Sequence, residues 1–332
     1  MILNPKNLRI PGTLKRFFYY PSLYSQGQHK NIFLFSSRRG GSTLLAQLIS
    51  YQQGMRYVDQ PFDLFQSHTK AGKTKLHYLP AVPNSQFITL SSEEESLVKE
   101  YVSLLLKGKL KYLGGLERFQ FPFLANRTLL KICNASPLID WFNANFNILT
   151  CYLVRHPIPQ SLSVMKNHWG ITAEAYLNNK SFINSFLNHE QVNQAHQIIN
   201  EGTYFQQAIL NWCLENLFPL KYCSSDVLKI TYEELVLNPT NLIPLISNKL
   251  NIQDGQEIMK RIEKPSRSSK LSEQKTRKAI LEGDKKKIVS RWMKQVSAEQ
   301  LNEAKVILEL FEIFAYKTDD YLPAPQLLLC QK

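Results

Sequence analysis

The sequence has little cysteine, no long apolar run and no acidic residue in its first thirty positions. Its five cysteines, Cys133, Cys151, Cys213, Cys223 and Cys330, are odd in number and form no CxxC pair. Most lie in apolar text such as Thr150-Cys151-Tyr152-Leu153-Val154, which reads as buried reduced thiols rather than a disulfide framework. No stretch approaches the ~20 apolar residues that cross a bilayer. Asn4, Pro5, Lys6, Asn7 and Arg9 interrupt the apolar core that a secretory signal needs. A cytoplasmic protein is therefore expected, without a transmembrane segment. No His/Cys set and no carboxylate cluster has metal-ligand spacing, so no metal is expected, and no internal repeat is evident.

What the chain does have is a globular composition over 332 residues, with 44% hydrophobic, 11% aromatic and 20% charged. That excludes a disordered tail, a collagen-like repeat and a disulfide-stapled miniprotein, and leaves one large α/β domain or two modest ones. Forty Lys and Arg against 27 Asp and Glu give a formal net charge of +13. The excess is concentrated. Residues 1–30 hold Lys6, Arg9, Lys15, Arg16 and Lys30 and no acid; residues 260–294 hold thirteen Lys or Arg against Glu263, Glu273, Glu282 and Asp284. The rest of the chain is close to neutral. Such an excess points to nucleic acid, an anionic membrane surface or a small polyanionic ligand.

Asn31-Ile32-Phe33-Leu34-Phe35 is a continuous apolar run, the pattern of a strand buried on both faces of a parallel sheet. It leads into Ser36-Ser37-Arg38-Arg39-Gly40-Gly41-Ser42-Thr43, after which Leu44, Leu45, Leu48 and Ile49 follow helical spacing. Residues 128–133, 148–154 and 227–231 read as further buried strands. Helices are expected at about 92–107, 138–145, 158–167, 203–217, 240–250 and 297–314. The alternation predicts an α/β fold with a doubly wound, mainly parallel sheet flanked by helices. The expected layout is a basic surface segment at 1–30, one domain over 31–322, a helix-poor and lid-like basic insertion at 253–294, and a tail at 323–332.

Strand, glycine-rich turn and helix is the order that builds a phosphate-cradling loop, with free backbone N–H groups at a helix N-terminus. Against the nucleotide-loop pattern GxxxxGK[ST], Ser36 stands at the first glycine, Gly41 at the second and Thr43 at the hydroxyl. Ser42 stands where the lysine belongs, and the cations are Arg38 and Arg39, which disfavours an ordinary ATP or GTP site. A second element, Arg155-His156-Pro157, closes the strand ending at Val154, and Ser163 follows the arginine by eight residues, two turns into a helix. An arginine fork and a hydroxyl there can grip one phosphate. Each element alone also has a plain reading, as a helix-capping turn or a surface cation.

Together the two elements resemble the sulfotransferases that use 3′-phosphoadenosine 5′-phosphosulfate (PAPS). Arg39-Gly40-Gly41-Ser42-Thr43-Leu44-Leu45 is similar to that family's R-x-G-[ST]-[ST]-L-L loop, and Arg155 with Ser163 to its 3′-phosphate motif. Thr231-Tyr232-Glu233-Glu234-Leu235-Val236-Leu237-Asn238-Pro239 is similar to its "xYEDLxxDP" segment, and Ser290-Arg291-Trp292 to its C-terminal "SRW" segment. His156 stands where many members have Asp or Asn. The matches run in family order from residue 31 to about 315 and look closer to bacterial and carbohydrate-directed members than to cytosolic animal enzymes.

The resemblance implies a P-loop-like sulfotransferase fold and transfer of a sulfuryl group from PAPS to a hydroxyl or amine of a glycan, lipid or small metabolite. It implies nucleotide contacts from Arg38, Arg39, Gly40, Gly41, Ser42, Thr43, Leu44, Arg155, Ser163, Tyr232 and Arg291, with Arg39 also at the departing oxygen. It makes the basic segment before Arg291 a nucleotide lid. For the proton acceptor, Lys131-Ile132-Cys133 has cysteine at the histidine of the family's K-x-H. Tyr57-Val58-Asp59-Gln60-Pro61 has Gln60 in place of the glutamate of a Glu-Pro pair. The candidates are Asp59, then His68, then Asp63, with Lys131 or a water as fallback. Two other classes stay open: a non-catalytic nucleotide-binding protein of the same fold, and an ATP-dependent small-molecule kinase. No specific nucleic-acid partner is expected, and the 1–30 segment leaves a weak anionic-surface contact open. Acceptor-lining segments are expected at 59–80, 110–125 and 165–205.

Overall fold

The apolar run from Asn31 becomes the middle strand of a parallel sheet. The computed structural model describes residues 23–24, 27–65, 70–110, 124–253, 255–262 and 282–327. Its strands are β1 (Leu23–Tyr24), β2 (Asn31–Ser36), β3 (Met55–Asp59), β4 (Leu124–Ala125), β5 (Arg127–Ile132), β6 (Ile148–Val154) and β7 (Leu228–Thr231). β1 pairs with β4, and the main sheet runs β3-β5-β2-β6-β7 with every neighbouring pair parallel. The α/β class and the mainly parallel sheet are as the sequence pattern predicts.

Successive residues of each strand enter opposite cores. Phe33, Phe35, Leu130, Ile132, Tyr152 and Val154 face one layer of helices; Ile32, Leu34, Leu129, Cys151, Leu153 and Ile230 face the other. Burial on both faces is why these strands read as unbroken apolar runs. The helix Ser42–Ser50, which follows β2, packs in the second core with the helix Pro239–Lys249. The helix Pro157–Lys166, which follows β6, packs in the first core against the long helix Tyr204–Lys221. The chain thus leaves neighbouring strands toward opposite faces, and a crevice opens between the carboxyl ends of β2 and β6.

Two expectations need correction. β3 is absent from the sequence reading: it is an edge strand, and Arg56 and Asp59 break its apolar run. The described parts of 253–294 are helical, at Gly255–Ile262 and Lys285–Ser290, the second capped by Asp284, which accepts from the Lys287 N–H at 3.0 Å. The remainder of that segment, 263–281, lies outside the described residues, as do most of 1–30 and 110–125. The amide-rich stretch 165–205 folds into helices Ala173–Leu177, Lys180–Phe186 and His189–Glu201. Several of its amides are spent on helix starts: Asn179 accepts from Phe182 N–H at 2.8 Å, and Asn188 forms a reciprocal cap with Gln191. The four described cysteines are free and buried, and no described helix is long and apolar enough to cross a membrane.

One buried cation ties sheet and helix layer together. Arg127 donates to the carbonyls of Lys30 at 2.6 Å, Asn251 at 2.9 Å and Leu250 at 2.7 Å, the last two just past the helix Pro239–Lys249. Replacing it strands two carbonyls at a helix C-terminus and one at the start of β2. Arg127→Met is expected to lower stability by about 2–3 kcal/mol in chemical denaturation. Arg127→Lys should recover only part of that, because one ammonium cannot span the same fork of acceptors.

Candidate functional site

The loop leaving β2 turns through two left-handed residues, Arg39 at φ 66° and Gly41 at φ 94°. Gly40 N–H bonds the Ser37 carbonyl at 3.1 Å, and Leu44 N–H returns to the Gly41 carbonyl at 2.9 Å as the helix Ser42–Ser50 begins. Gly41 is required twice. Its φ suits glycine, and a Cβ there would lie 2.4 Å from Cδ2 of Tyr232. Gly40 is confined by space alone, since a Cβ would stand 2.5 Å from Oγ of Ser36 and 3.0 Å from the Ser37 carbonyl. A left-handed loop feeding a helix N-terminus turns backbone N–H groups toward one point, the geometry that holds an anion.

Two arginines from distant parts of the chain meet at this loop. Arg39 Nε donates to Ser163 Oγ at 2.9 Å, across 124 residues of sequence. Its guanidinium also lies over the Trp169 ring, 5.3 Å from the centroid. Arg155 donates to the Arg39 carbonyl at 3.4 Å and stacks on Tyr232 at 4.7 Å, while its Nε is buried with no hydrogen-bond partner among the described residues. Burial, then the charge of Arg155, pushes the Arg39 pKa down. Tyr232 is wedged between Gly41 and Arg155. Burial raises its hydroxyl pKa, with Arg155 and Arg291 pulling it back, which puts Arg291 in the same electrostatic neighbourhood.

Arg38 goes the other way. It is buried and donates to the carbonyls of Trp169 at 2.8 Å and Gly170 at 3.2 Å and to Thr172 Oγ1 at 3.3 Å, with Glu215 Oε1 at 3.6 Å. It thereby holds the backbone of the Trp169 turn. Gln160, absent from the sequence expectations, fixes the loop from the opposite side by donating to Ser37 Oγ at 2.6 Å and the Arg38 carbonyl at 2.8 Å.

The remaining expected residues form a chain leading to the sheet edge. Leu44 packs half-buried in the second core. Ser42 Oγ lies 3.6 Å from Cys133 Sγ, and Thr43 Oγ1 accepts from Lys131 Nζ at 3.4 Å. Lys131 pairs with Asp59 at 2.7 Å, and Asp59 also accepts from Tyr57 Oη at 2.9 Å. His68 lies outside the described residues. Asp63 lines a cavity of about 210 Å³ together with Arg38, Gln60, Phe65, Asn134 and Trp169. Trp169 therefore borders both that cavity and Arg39.

Behind Arg155 lies a buried cluster. His156 begins the helix Pro157–Lys166, accepting from Ile158 N–H through Nδ1 at 3.2 Å; with Nδ1 an acceptor, Nε2–H donates to the Lys317 carbonyl at 3.0 Å. It does the capping work that an Asp or Asn side chain commonly does at a helix start. Its ring packs on Trp292 at 4.4 Å and Tyr316 at 5.0 Å. Glu233 accepts from His156 N–H at 3.0 Å and from Tyr316 Oη at 2.9 Å. The motif text around Glu233 and Trp292 was visible in the sequence; their convergence on His156 was not.

No family model matches the chain, and no curated protein matches it. Among solved structures it is similar to the sulfotransferase domain of the olefin synthase from Synechococcus PCC 7002, at 17% identity and a TM-score of 0.43 over 89% of this chain and 98% of that one. It is also similar to the sulfotransferase domain from the curacin biosynthetic pathway, at 17% identity and a TM-score of 0.42 over 87% of this chain and 99% of that one.

Two outcomes follow from this geometry. Burial pushes the His156 pKa down to about 4 from an ordinary 6.5. The unfolded chain therefore binds the proton first, and stability should fall as pH drops from about 6.5 toward 4, by about 3 kcal/mol for this group. Denaturation of His156→Gln beside the parent at several pH values should show a flatter profile for the variant across that window. Gly41→Ala should keep the sheet, read by far-UV circular dichroism, while displacing Tyr232 and lowering the melting temperature by several degrees.

Proposed function

We propose that this chain is a sulfotransferase that moves the sulfuryl group of PAPS to a hydroxyl or amine of a glycan, lipid or small-metabolite acceptor. The observation that carries the reading is the meeting of Arg39 with Ser163 beside Arg155, whose buried Nε lacks a partner, at a left-handed loop on a helix N-terminus. Two guanidiniums without an ion-pair contact among the described residues, with only the buried Glu233 carboxylate acting on Arg155 from a distance, fit a polyanion with phosphate at both ends. In this reading the backbone N–H groups of Gly40 to Thr43 hold the 5′-phosphate, and Arg155 with Ser163 holds the 3′-phosphate. Arg291 and the lysines at 285–287 add positive charge on the same side.

The chemistry asks for little covalent participation from the protein. The acceptor oxygen or nitrogen bonds to sulfur as the bond from sulfur to the 5′-phosphate oxygen breaks, leaving adenosine 3′,5′-bisphosphate. The acceptor proton passes to a base, and negative charge grows on the departing oxygen. Arg39 neutralises that oxygen, a role for a preplaced cation in a partly dry site. Lys131 brings to Thr43 the ammonium that Ser42 lacks, from the neighbouring strand rather than from the loop. Asp59, held by Lys131 and Tyr57, orients that lysine. Asp63, on the cavity wall, is the carboxylate we assign to the acceptor proton.

Adenosine 3′,5′-bisphosphate is expected to raise the melting temperature at low salt, with the gain shrinking as ionic strength rises. Arg39→Ala and Arg155→Ala should each weaken binding at least about tenfold. Absence of nucleotide binding at low salt sinks the proposal. Binding without transfer of a radiolabelled sulfuryl group from PAPS to any acceptor in a cell extract would make the chain a nucleotide-binding protein instead.

A further inference from the structure

We infer that the cavity beside the phosphate loop is a subsite for a neutral sugar ring, with a ring hydroxyl as the accepting group; this rests on the sulfuryl-transfer reading above. The cavity has two aromatic walls and a polar floor. Phe65 and Trp169 are 52% and 40% exposed, unusually open for large aromatic side chains at one small cavity. Between them stand Gln60, Asp63 and Asn134. Asn134 is buried, and its amide N–H donates to the Ser85 carbonyl at 3.0 Å, which leaves Oδ1 as an acceptor with no bond to a described residue. Asp63 accepts from Phe65 N–H at 3.0 Å, and the buried Lys75 ammonium, which bonds its backbone carbonyl, attracts its carboxylate.

These walls are fixed before any ligand arrives. Gln60 sits at φ 48°, in the left-handed region that a residue with a side chain seldom occupies. Its N–H bonds the Lys131 carbonyl at 2.8 Å, and its own carbonyl accepts from Lys75 Nζ at 2.9 Å. Lys75 also donates to the Asp63 carbonyl at 2.7 Å, so one buried ammonium pins both ends of the turn. The Trp169 turn is pinned in the same way by Arg38.

Charge and hydrogen bonding then select among acceptor classes. An amine is disfavoured because each ring already carries a guanidinium: Arg38 lies 5.7 Å from the Phe65 centroid and Arg39 5.3 Å from that of Trp169. A third cation on those rings would face like charge. An anionic acceptor meets Asp63, while the charge of Arg38 is taken up by Glu215 and three oxygen acceptors. A flat phenol covers the rings but offers one hydroxyl to two acceptors, Asn134 Oδ1 and the Asp63 carboxylate. A neutral sugar meets every wall, with its C–H face on the aromatic rings and its hydroxyls donating to Asn134 Oδ1 and Asp63. Because Trp169 borders both Arg39 and the cavity, that hydroxyl arrives beside the nucleotide loop.

The experiment is saturation-transfer NMR on the full chain, with and without adenosine 3′,5′-bisphosphate. The probes are methyl glycosides of glucose, galactose and mannose, with glucuronate, 4-nitrophenol and benzylamine as competing classes. At least one methyl glycoside should receive saturation at its ring C–H protons. Trp169→Ala should weaken it at least tenfold, and Trp169→Phe should restore most of the loss. Asp63→Asn should weaken the glycoside and raise glucuronate binding severalfold, a gain that a merely structural role for Asp63 would not produce. Tighter binding of 4-nitrophenol, benzylamine or glucuronate than of every glycoside overturns the inference, as does glycoside binding indifferent to Trp169→Ala. Nucleotide binding is scored separately by thermal shift, so its failure sinks the sulfuryl-transfer reading while the runs without nucleotide still decide the sugar site.

Discussion

Two guanidinium groups of like charge are held against a single left-handed turn, and much of the architecture serves to keep them there. Arg39 and Arg155 have no acidic partner within ion-pair distance among the described residues, and the charge of one lowers the proton affinity of the other. What stands against that repulsion is the buried Glu233 carboxylate acting on Arg155, the π-faces of Trp169 and Tyr232, and the hydroxyl of Ser163. A fold that keeps an unfavourable pair, a non-glycine residue at φ 66° and a buried N–H without a partner at one point concentrates its local strain there. The topology makes the place available, because helices leave β2 and β6 toward opposite faces.

The second arginine is held from behind by parts of the chain far away in sequence. Trp212 Nε1 donates to the Arg155 carbonyl at 3.0 Å, and Glu233 takes the next N–H, that of His156. Tyr316 and Trp292 close on the same imidazole. Both flanks of Arg155 are therefore bonded by buried groups, and its guanidinium is the part left to face the crevice. His156 shows how a departure from a family pattern can keep the physics: Nδ1 caps the helix as an aspartate or asparagine oxygen would. It does so without adding a negative charge beside Arg155.

The strands of the sheet's middle were legible because both of their faces are buried, which writes them as unbroken apolar text. β3 was not, since an edge strand with Arg56 and Asp59 carries neither periodicity nor an apolar run. The spacing of Arg39, Gly40 and Gly41 and of Arg155 and Ser163 told which residues converge, since both sets stand at strand ends. It could not tell that adjacent arginines diverge. The left-handed φ of Arg39 sends its side chain toward Ser163, while Arg38 runs inward to Glu215. Nor could it show Trp169 between two sites, because that depends on a turn held through backbone carbonyls, which have no sequence signature.

Divergence of the arginines also decides how much positive charge the loop presents. Four cations stand around it. Arg38 is matched by Glu215 and Lys131 by Asp59, the latter at 2.7 Å against 3.4 Å to Thr43. Those two pairs set geometry: one holds the Trp169 turn, the other places an ammonium beside the helix start. Among the described residues Arg39 has no such partner, and Arg155 has only the Glu233 carboxylate, which is spent on His156 N–H and Tyr316 Oη. The formal excess of +13 is thus no measure of what the crevice offers, since the body is near neutral and half of the cations nearest the loop are internally paired. A polyanion in the crevice would meet Arg39 and Arg155 first, with Arg291 in the electrostatic neighbourhood of Tyr232 and the lysines at 285–287 on a helix packed against that of Tyr232. The fixed pair gives orientation; the outlying cations give reach, and reach is the part that salt screens.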